Sequence, residues 1–270
     1  MKLKSLVAAM AIVLGVPAFA AIAPGSSGNG ELFMVVQDSA AKVSFTLDLG
    51  ITMDSFLTQV QSKVPFAYSW NAAADSNWST FTSVANLNTS AWAVVALDST
   101  GNFTPGQQRL LTTVEAGKQA TIVGTPNKLL SDGMAQANNF FTAINSTGTH
   151  VPQATYSING SSVNYETDSG RAYFGESGGL TNTLNGNATF KSTNAIGAES
   201  LMYYVTRSSA SQLASAKVLS ERLALSADLP VLAKFDAQNL TISAVPEPGT
   251  YALMFAGLAA VGFMARRRRA

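Results

Sequence analysis

The sequence predicts a mainly β, sandwich-like domain with a few short helices, followed by a C-terminal transmembrane helix. Two observations predict the domain: short apolar runs recur along the chain, and clusters of Gly, Asn, Ser and Asp separate them at intervals of roughly eight to twelve residues. A third observation predicts the helix, because residues 250–265 carry no charge and four arginines follow them. The predicted segments are a signal peptide (1–20), a flexible leader (21–30), the β-rich domain (31–244) and a C-terminal segment (245–270).

The N-terminus has the pattern of a secretory signal peptide. Two lysines precede an apolar run over residues 6–16, and Ala18 and Ala20 provide the small residues that a signal peptidase site requires. The pattern predicts export through the Sec translocon and cleavage after Ala20. Residues 21–30 are rich in Gly, Ser and Pro and show no periodicity, so we expect a flexible leader there.

Apolar patterning predicts five strands and two helices in the first half of the domain. Residues 31–37 form a continuous apolar run, which is typical of a buried strand, and residues 42–49 alternate between apolar and polar side chains. Thr52 or Asp54 can cap a short helix that follows. Residues 127–144 carry apolar side chains at helical spacing. The remaining strands are expected over 66–70, 92–97 and 108–115.

Short apolar runs continue through the second half, again separated by turn-forming residues. The strands expected here are 156–158, 163–165, 172–174, 201–205, 231–235 and 240–244, with a brief helix over 211–217. The last of these strands ends directly before Val245. The C-terminal segment should therefore leave the domain through a short exposed tether.

The C-terminal segment combines three features in a fixed order. Pro246 and Pro248, which follow Val245, hold Glu247 in an extended conformation, the form that a protease cleft accepts. Residues 250–265 would span about 24 Å as a helix, and they lack the polar face of a soluble amphipathic helix. The cationic residues that favour a cytoplasmic C-terminus are Arg266, Arg267, Arg268 and Arg269. Both ends then face the cytoplasm, and the domain between them lies across the inner membrane.

This arrangement resembles the PEP-CTERM sorting signal of exopolysaccharide-producing Gram-negative bacteria. The resemblance covers residues 245–270 only. It implies that Pro246, Glu247 and Pro248 are recognised by exosortase, a membrane-embedded cysteine peptidase that cuts near the motif and releases or transfers the protein. It also implies a transient single-pass anchor in the inner membrane, a final location at the cell surface or outside the cell, and an association with exopolysaccharide or biofilm.

Composition excludes several functional classes. Eleven basic residues remain when Lys2, Lys4 and the four terminal arginines are set aside, against fifteen acidic residues without Glu247, so the region between the targeting segments carries a net charge of about −4. Its basic residues are scattered, which argues against nucleic-acid binding. The chain contains no cysteine, so disulfides, thiolate metal sites and a cysteine nucleophile are excluded. We expect no cofactor.

One motif suggests catalysis. Residues 175–179 match the G-x-S-x-G pattern around Ser177, which in α/β-hydrolases places the nucleophile between a strand and a helix. In α/β-hydrolases the catalytic histidine follows the serine in the chain, but here the single histidine, His150, precedes it. His150, Asp168 and Ser177 do follow the trypsin-like order, yet the interval is too short for two β-barrels. A glycine-rich turn explains the motif, so no catalytic residue is expected, and a secreted serine hydrolase is the less favoured alternative.

A binding function is the other alternative. Trp78 is flanked by polar residues, and its flat aromatic face suits a pyranose ring, so it is a possible ligand contact of a carbohydrate-binding module. Trp92 lies within an apolar run and is expected in the core. A lone histidine cannot form a zinc site, and Glu166 and Asp168 are explained by a turn, so no metal site is expected.

Overall fold

A computed structural model describes residues 21–101, 103–150, 160–168, 170–176, 180–185 and 190–244. The strands are β1 (Glu31–Asp38), β2 (Val43–Thr52), β3 (Phe66–Asn71), β4 (Ala91–Asp98), β5 (Arg109–Val114), β6 (Ser161–Tyr165), β7 (Asn194–Ala195), β8 (Glu199–Thr206), β9 (Leu219–Arg222), β10 (Ala224–Ser226), β11 (Leu229–Pro230), β12 (Leu232–Phe235) and β13 (Asn239–Ala244). The α-helices are α1 (Met53–Gln61), α2 (Ser76–Thr82), α3 (Gln119–Val123), α4 (Asn127–Ile144) and α5 (Leu180–Asn185). The predicted mainly β class is confirmed.

The strands form one curled antiparallel sheet, which corrects the predicted sandwich of two facing sheets. Nine strands follow the order β3-β13-β12-β8-β5-β4-β1-β2-β6, with β7 and β9 paired beside β4 and β8. β2 and β3 are separated by six strands in this order. Phe45 of β2 nevertheless stacks on Trp70 of β3, with ring centroids 5.9 Å apart. The sheet therefore bends round on itself into a half-barrel, and a small separate hairpin is formed by β10 and β11.

The central strands are buried on both faces. In β1, Met34 and Val36 face the concave core, whereas Phe33 and Val35 face the convex side. β4 divides its apolar residues between the two cores in the same way. Burial on both sides explains why these two strands have continuous apolar sequences without alternation.

An aromatic cluster fills the concave side. Trp78 of α2 lies 5.2 Å from Phe235 of β12 and 5.3 Å from Phe45 of β2, measured between ring centroids. Asp75 caps the N-terminus of α2, because its Oδ1 accepts hydrogen bonds from the backbone N–H groups of Asn77 and Trp78. The helix thus inserts its aromatic rings between strands that lie far apart in the sheet order.

α4 covers the convex side. Its bounds agree with the prediction, and Phe141 meets Phe33 of β1 edge to face at 5.3 Å. Gly133 in the middle of the helix lowers helix propensity, but a Cβ there would lie 2.4 Å from Cγ2 of Thr183 in α5. The glycine is therefore required by the close approach of the two helices.

The predicted flexible leader over residues 21–30 is instead packed into the fold. Ile22 is fully buried, its backbone N–H donates to Asn145 Oδ1 at 3.0 Å, and Asn145 Nδ2 donates back to its carbonyl at 2.9 Å. The backbone N–H of Glu31 donates to the Ala23 carbonyl. The Gly, Ser and Pro composition suggested mobility, but one buried isoleucine and an asparagine 123 positions away fix this segment.

Several other predicted elements are confirmed and two are wrong. Thr52 caps α1, since its Oγ1 accepts from the Ser55 N–H. Residues 172–174 are buried but form no strand, and residues 211–217 form a turn rather than a helix. In both segments local composition was ambiguous, and long-range hydrogen bonds set the backbone, such as the one from the Phe174 N–H to Ser44 Oγ. The strand predicted over 156–158 lies outside the described residues.

Candidate functional site

Ala244, the last residue of β13, is the last residue that the structure describes before the C-terminal segment. β13 is an interior strand, paired with β12 on one side and β3 on the other. Ala244 is buried and pairs with Phe66 of β3. Val64, which precedes Phe66 by two residues, is 52% exposed. β13 includes the strand predicted over 240–244, and Val245 lies outside the described residues.

The sorting and cleavage residues themselves lie outside the described part of the chain. They are Ala18, Ala20, Val245, Pro246, Glu247, Pro248, Arg266, Arg267, Arg268 and Arg269. The predicted transmembrane helix over 250–265 lies outside it as well. Among the described residues, no helix combines the length and the apolar character that crossing a membrane requires.

Arg109 is a half-buried ionic junction that the sequence did not reveal. Its guanidinium donates to Asp54 Oδ1 at 2.6 Å, to Asp98 Oδ2 at 2.7 Å and to the Gly28 carbonyl at 2.8 Å. Desolvation lowers the pKa of Arg109, but the hydrogen bonds and charges of the two carboxylates outweigh it and leave the pKa raised. The cluster joins α1, β4, β5 and the leader, and both of its carboxylates are engaged by the same cation.

A cleft of about 320 Å³ lies between α1 and the β9–β10 segment, beside Arg109. Its ionisable lining comprises two cations and two acids: Lys63, Arg109, Asp54 and Glu221, together with the phenol of Tyr204. The Lys63 ammonium donates to the Ala224 carbonyl at 3.1 Å. The opposite charges balance, so the cleft does not present a net charge that would select an ion.

Asp48 is an enclosed acid on β2. It is 1% exposed, and its Oδ1 accepts from the Gly50 N–H at 2.8 Å. Burial raises the pKa of Asp48 well above its ordinary value, and the charge of Glu31 raises it further. Burial also raises the pKa of Glu31, against the hydrogen bond that it accepts from the Ala23 N–H. A raised pKa is common in catalytic acids, but Asp48 is closed to solvent and has no face for a substrate.

Arg207 is a second buried cation, and it is fully enclosed. Its Nε donates to the Ser209 carbonyl at 3.2 Å, its Nη2 to the Ser211 carbonyl at 3.2 Å, and its Nη1 to Gln108 Oε1 at 3.3 Å and to Ser131 Oγ. The acceptors in these bonds are neutral, and desolvation lowers the pKa of Arg207. Neutral oxygens thus hold the charge of Arg207, and none of its described hydrogen-bond partners is acidic.

The residues of the suggested triad take different structural roles. His150 is fully buried, and its backbone N–H donates to the Thr147 carbonyl at 3.3 Å. Asp168 closes the turn after β6, because its Oδ2 accepts from the Tyr165 N–H at 2.7 Å. Ser177 lies outside the described residues. Within the described ranges, no three His, Asp or Glu side chains are grouped so that they could hold a metal ion.

Trp78 is a core residue, which corrects its interpretation as a surface contact for a ligand. Its indole is 6% exposed and packs against Phe45, Phe81 and Phe235. Of its polar neighbours in sequence, Asp75 caps the helix and Asn77 donates to Ser161 of β6. The others, Ser76, Ser79 and Thr80, are exposed. Trp92 is fully buried, as predicted.

Comparison with known proteins identifies the C-terminal segment. The PEP-CTERM protein-sorting motif matches residues 244–269 of the chain. No curated protein and no solved structure matches it. The match confirms the resemblance seen in the sequence, and it begins at the residue where the folded domain ends. It implies an exported protein with a membrane-anchored C-terminal sorting signal that exosortase processes.

Replacing Trp78 by alanine should lower the free energy of unfolding by about 3–5 kcal/mol, because the indole fills the centre of the concave core. Chemical denaturation of the full chain, followed by circular dichroism, measures the loss. Val84→Ala is the control, since Val84 is 49% exposed, and a change within about 0.5 kcal/mol is expected there. A loss below about 1 kcal/mol for Trp78→Ala would contradict the core assignment.

Asp48→Asn should make stability less dependent on pH. A carboxyl whose pKa is raised in the folded state contributes its full stability below its unfolded pKa and loses it as pH rises. We therefore expect the wild type to lose stability as the pH is raised from about 4, the ordinary pKa of a carboxyl, towards neutral, and the variant to lose less. Unfolding free energies measured across this range test the slope.

Asp132→Asn serves as the matched control, because Asp132 lies on the outer side of α4 in an exposed pair with Lys128. Its slope should equal that of the wild type. Identical slopes for Asp48→Asn and the wild type would show that burial of Asp48 has no energetic consequence.

Proposed function

We propose that this chain is a non-catalytic protein of the cell surface or extracellular matrix, sorted by the PEP-CTERM and exosortase route and associated with exopolysaccharide. The observation that carries the proposal is the sorting motif over 244–269, attached directly to the end of an interior strand. The signal-peptide pattern at the N-terminus supports the export step. Sec export, retention by the C-terminal apolar segment, and cleavage near Glu247 follow in that order.

The geometry at Ala244 supports a specific form of this sorting step. Six residues separate Ala244 from Tyr251 near the start of the apolar segment, and the seven steps between them, at about 3.4 Å each, reach at most about 24 Å. The anchored domain would therefore stay close to the membrane surface. β13 is paired on both sides, so the peptidase would meet a folded domain beside the motif rather than a loose chain.

Two ion pairs and the burial of a third carboxyl support the absence of catalysis. Arg109 engages the carboxylates of Asp54 and Asp98, and Asp48 is enclosed. Labelling of Ser177 by a fluorophosphonate probe in the full chain would overturn this part and would favour the serine hydrolase instead.

The sorting step is tested by Glu247→Gln in a host that carries exosortase. We expect the variant to remain in the inner membrane with its C-terminus intact, and the surface fraction to fall at least about tenfold, because the neutral side chain removes the charge between the two prolines. Replacement of the four terminal arginines by serine should give the same retention. Intact-mass analysis of the membrane and surface fractions identifies both termini.

Glu221→Gln is the matched control, since Glu221 is an exposed glutamate of the folded domain, and its processing should equal that of the wild type. Normal surface delivery of both the Glu247 and the arginine variants would contradict the proposal.

A further inference from the structure

A second cleft, of about 400 Å³, lies between α4 and the β4–β5 connection. Its volume falls in the range of roughly 300–1,000 Å³ that is typical of small-molecule sites. We call it the α4 cleft. Its lining includes Phe103, Gln108, Ser131, Asp132, Asn138 and Gln212.

Two residues of the α4 cleft have strained backbones. Phe103 has φ 60° and Gln108 has φ 54°, a left-handed conformation that costs residues with side chains roughly 1–2 kcal/mol. The surrounding hydrogen bonds maintain it: the Gly106 N–H donates to the Arg207 carbonyl at 2.9 Å, and the Arg207 N–H donates to the Gln107 carbonyl at 3.3 Å. Strain that the surroundings hold in place is concentrated at binding sites, and here both strained residues line one cleft.

Arg207 lies beneath the cleft and contacts the side chains of both Phe103 and Gln108. Its guanidinium carbon lies 4.9 Å from the centroid of the Phe103 ring, and its Nη1 donates to Gln108 Oε1. Phe103 remains 43% exposed although its ring is held on this cation. The buried arginine thus presents a rigid aromatic surface to the cleft.

The polar groups of the α4 cleft retain hydrogen-bonding capacity. Gln108 Oε1 accepts from Ser131 Oγ at 2.7 Å, but its Nε2 donates to no described residue. The same holds for the amide nitrogens of Asn138 and Gln212 within the described part of the chain. The one ion pair in the lining, Lys128 with Asp132 at 2.7 Å, is internally balanced.

We propose that the α4 cleft binds a pyranose unit of a polysaccharide. An exposed aromatic face stacks on the C–H groups of a sugar ring, and several amide donors with a hydroxyl match its ring of hydroxyl groups. The inference deepens the proposed function and rests on it for the biological source of the polysaccharide, but the binding itself is independent of sorting.

The test uses the full chain purified in detergent, so that its outcome does not depend on processing. The probes are a hexamer of β-1,4-linked glucose, a hexamer of α-1,4-linked galacturonate and an array of pyranose glycans, and saturation-transfer NMR and calorimetry measure binding. We expect at least one probe to bind. Phe103→Gly should reduce its affinity at least tenfold, and Asn138→Ala should reduce it about threefold or more.

Phe103→Gly also separates a binding role from a structural one. Glycine removes the backbone strain as well as the ring contact with Arg207, so the melting temperature should stay within about 3 °C of the wild type while binding is lost. Val84→Ala, away from the α4 cleft, should bind as the wild type does. The proposal is overturned if no pyranose probe binds, or if Phe103→Gly binds as tightly as the wild type; retained sorting in either case would leave the proposed route intact.

Discussion

The contact of α2 with both ends of the sheet is the constraint on which the rest of the structure depends. Trp78 touches Phe45 near one end of the strand order and Phe235 near the other, so one indole holds the curl of the sheet. A flat sheet of this width would leave the inner faces of its outer strands in water. Closing it around aromatic rings buries them and brings Trp70 of β3 against Phe45 of β2.

The same curl leaves little of the sheet exposed, so charged groups in the interior must be satisfied locally. Arg109 is paired with two carboxylates, burial raises the pKa of Asp48, and Arg207 relies on neutral oxygens. These are three different solutions to the same cost of burying charge. Only the last leaves a charge without an acidic group among its described hydrogen-bond partners, and it lies beneath Phe103 of the α4 cleft.

Targeting and binding are separated in this chain. The sorting motif matches residues 244–269, and its first residue, Ala244, is paired in β13. The α4 cleft is built instead from α4, the β4–β5 connection and Arg207. Loss of the C-terminal segment would therefore remove no residue of the cleft, which is consistent with a domain that acts after release.

Periodicity and local chemistry alone determined the elements whose signals are local. These include α4, the cap at Thr52, the continuous apolar strands β1 and β4, and the sorting segment with its charge order. The order of the strands could not be predicted from the sequence. Strand pairing joins residues far apart in the chain, and an alternating pattern is the same in a sandwich and in a half-barrel. Trp78 was misplaced for the same reason: its neighbours in sequence are polar, but its neighbours in space are Phe45 and Phe235. Only the tertiary structure places Arg207 beneath Phe103, because the sequence around either residue does not indicate that the two are in contact.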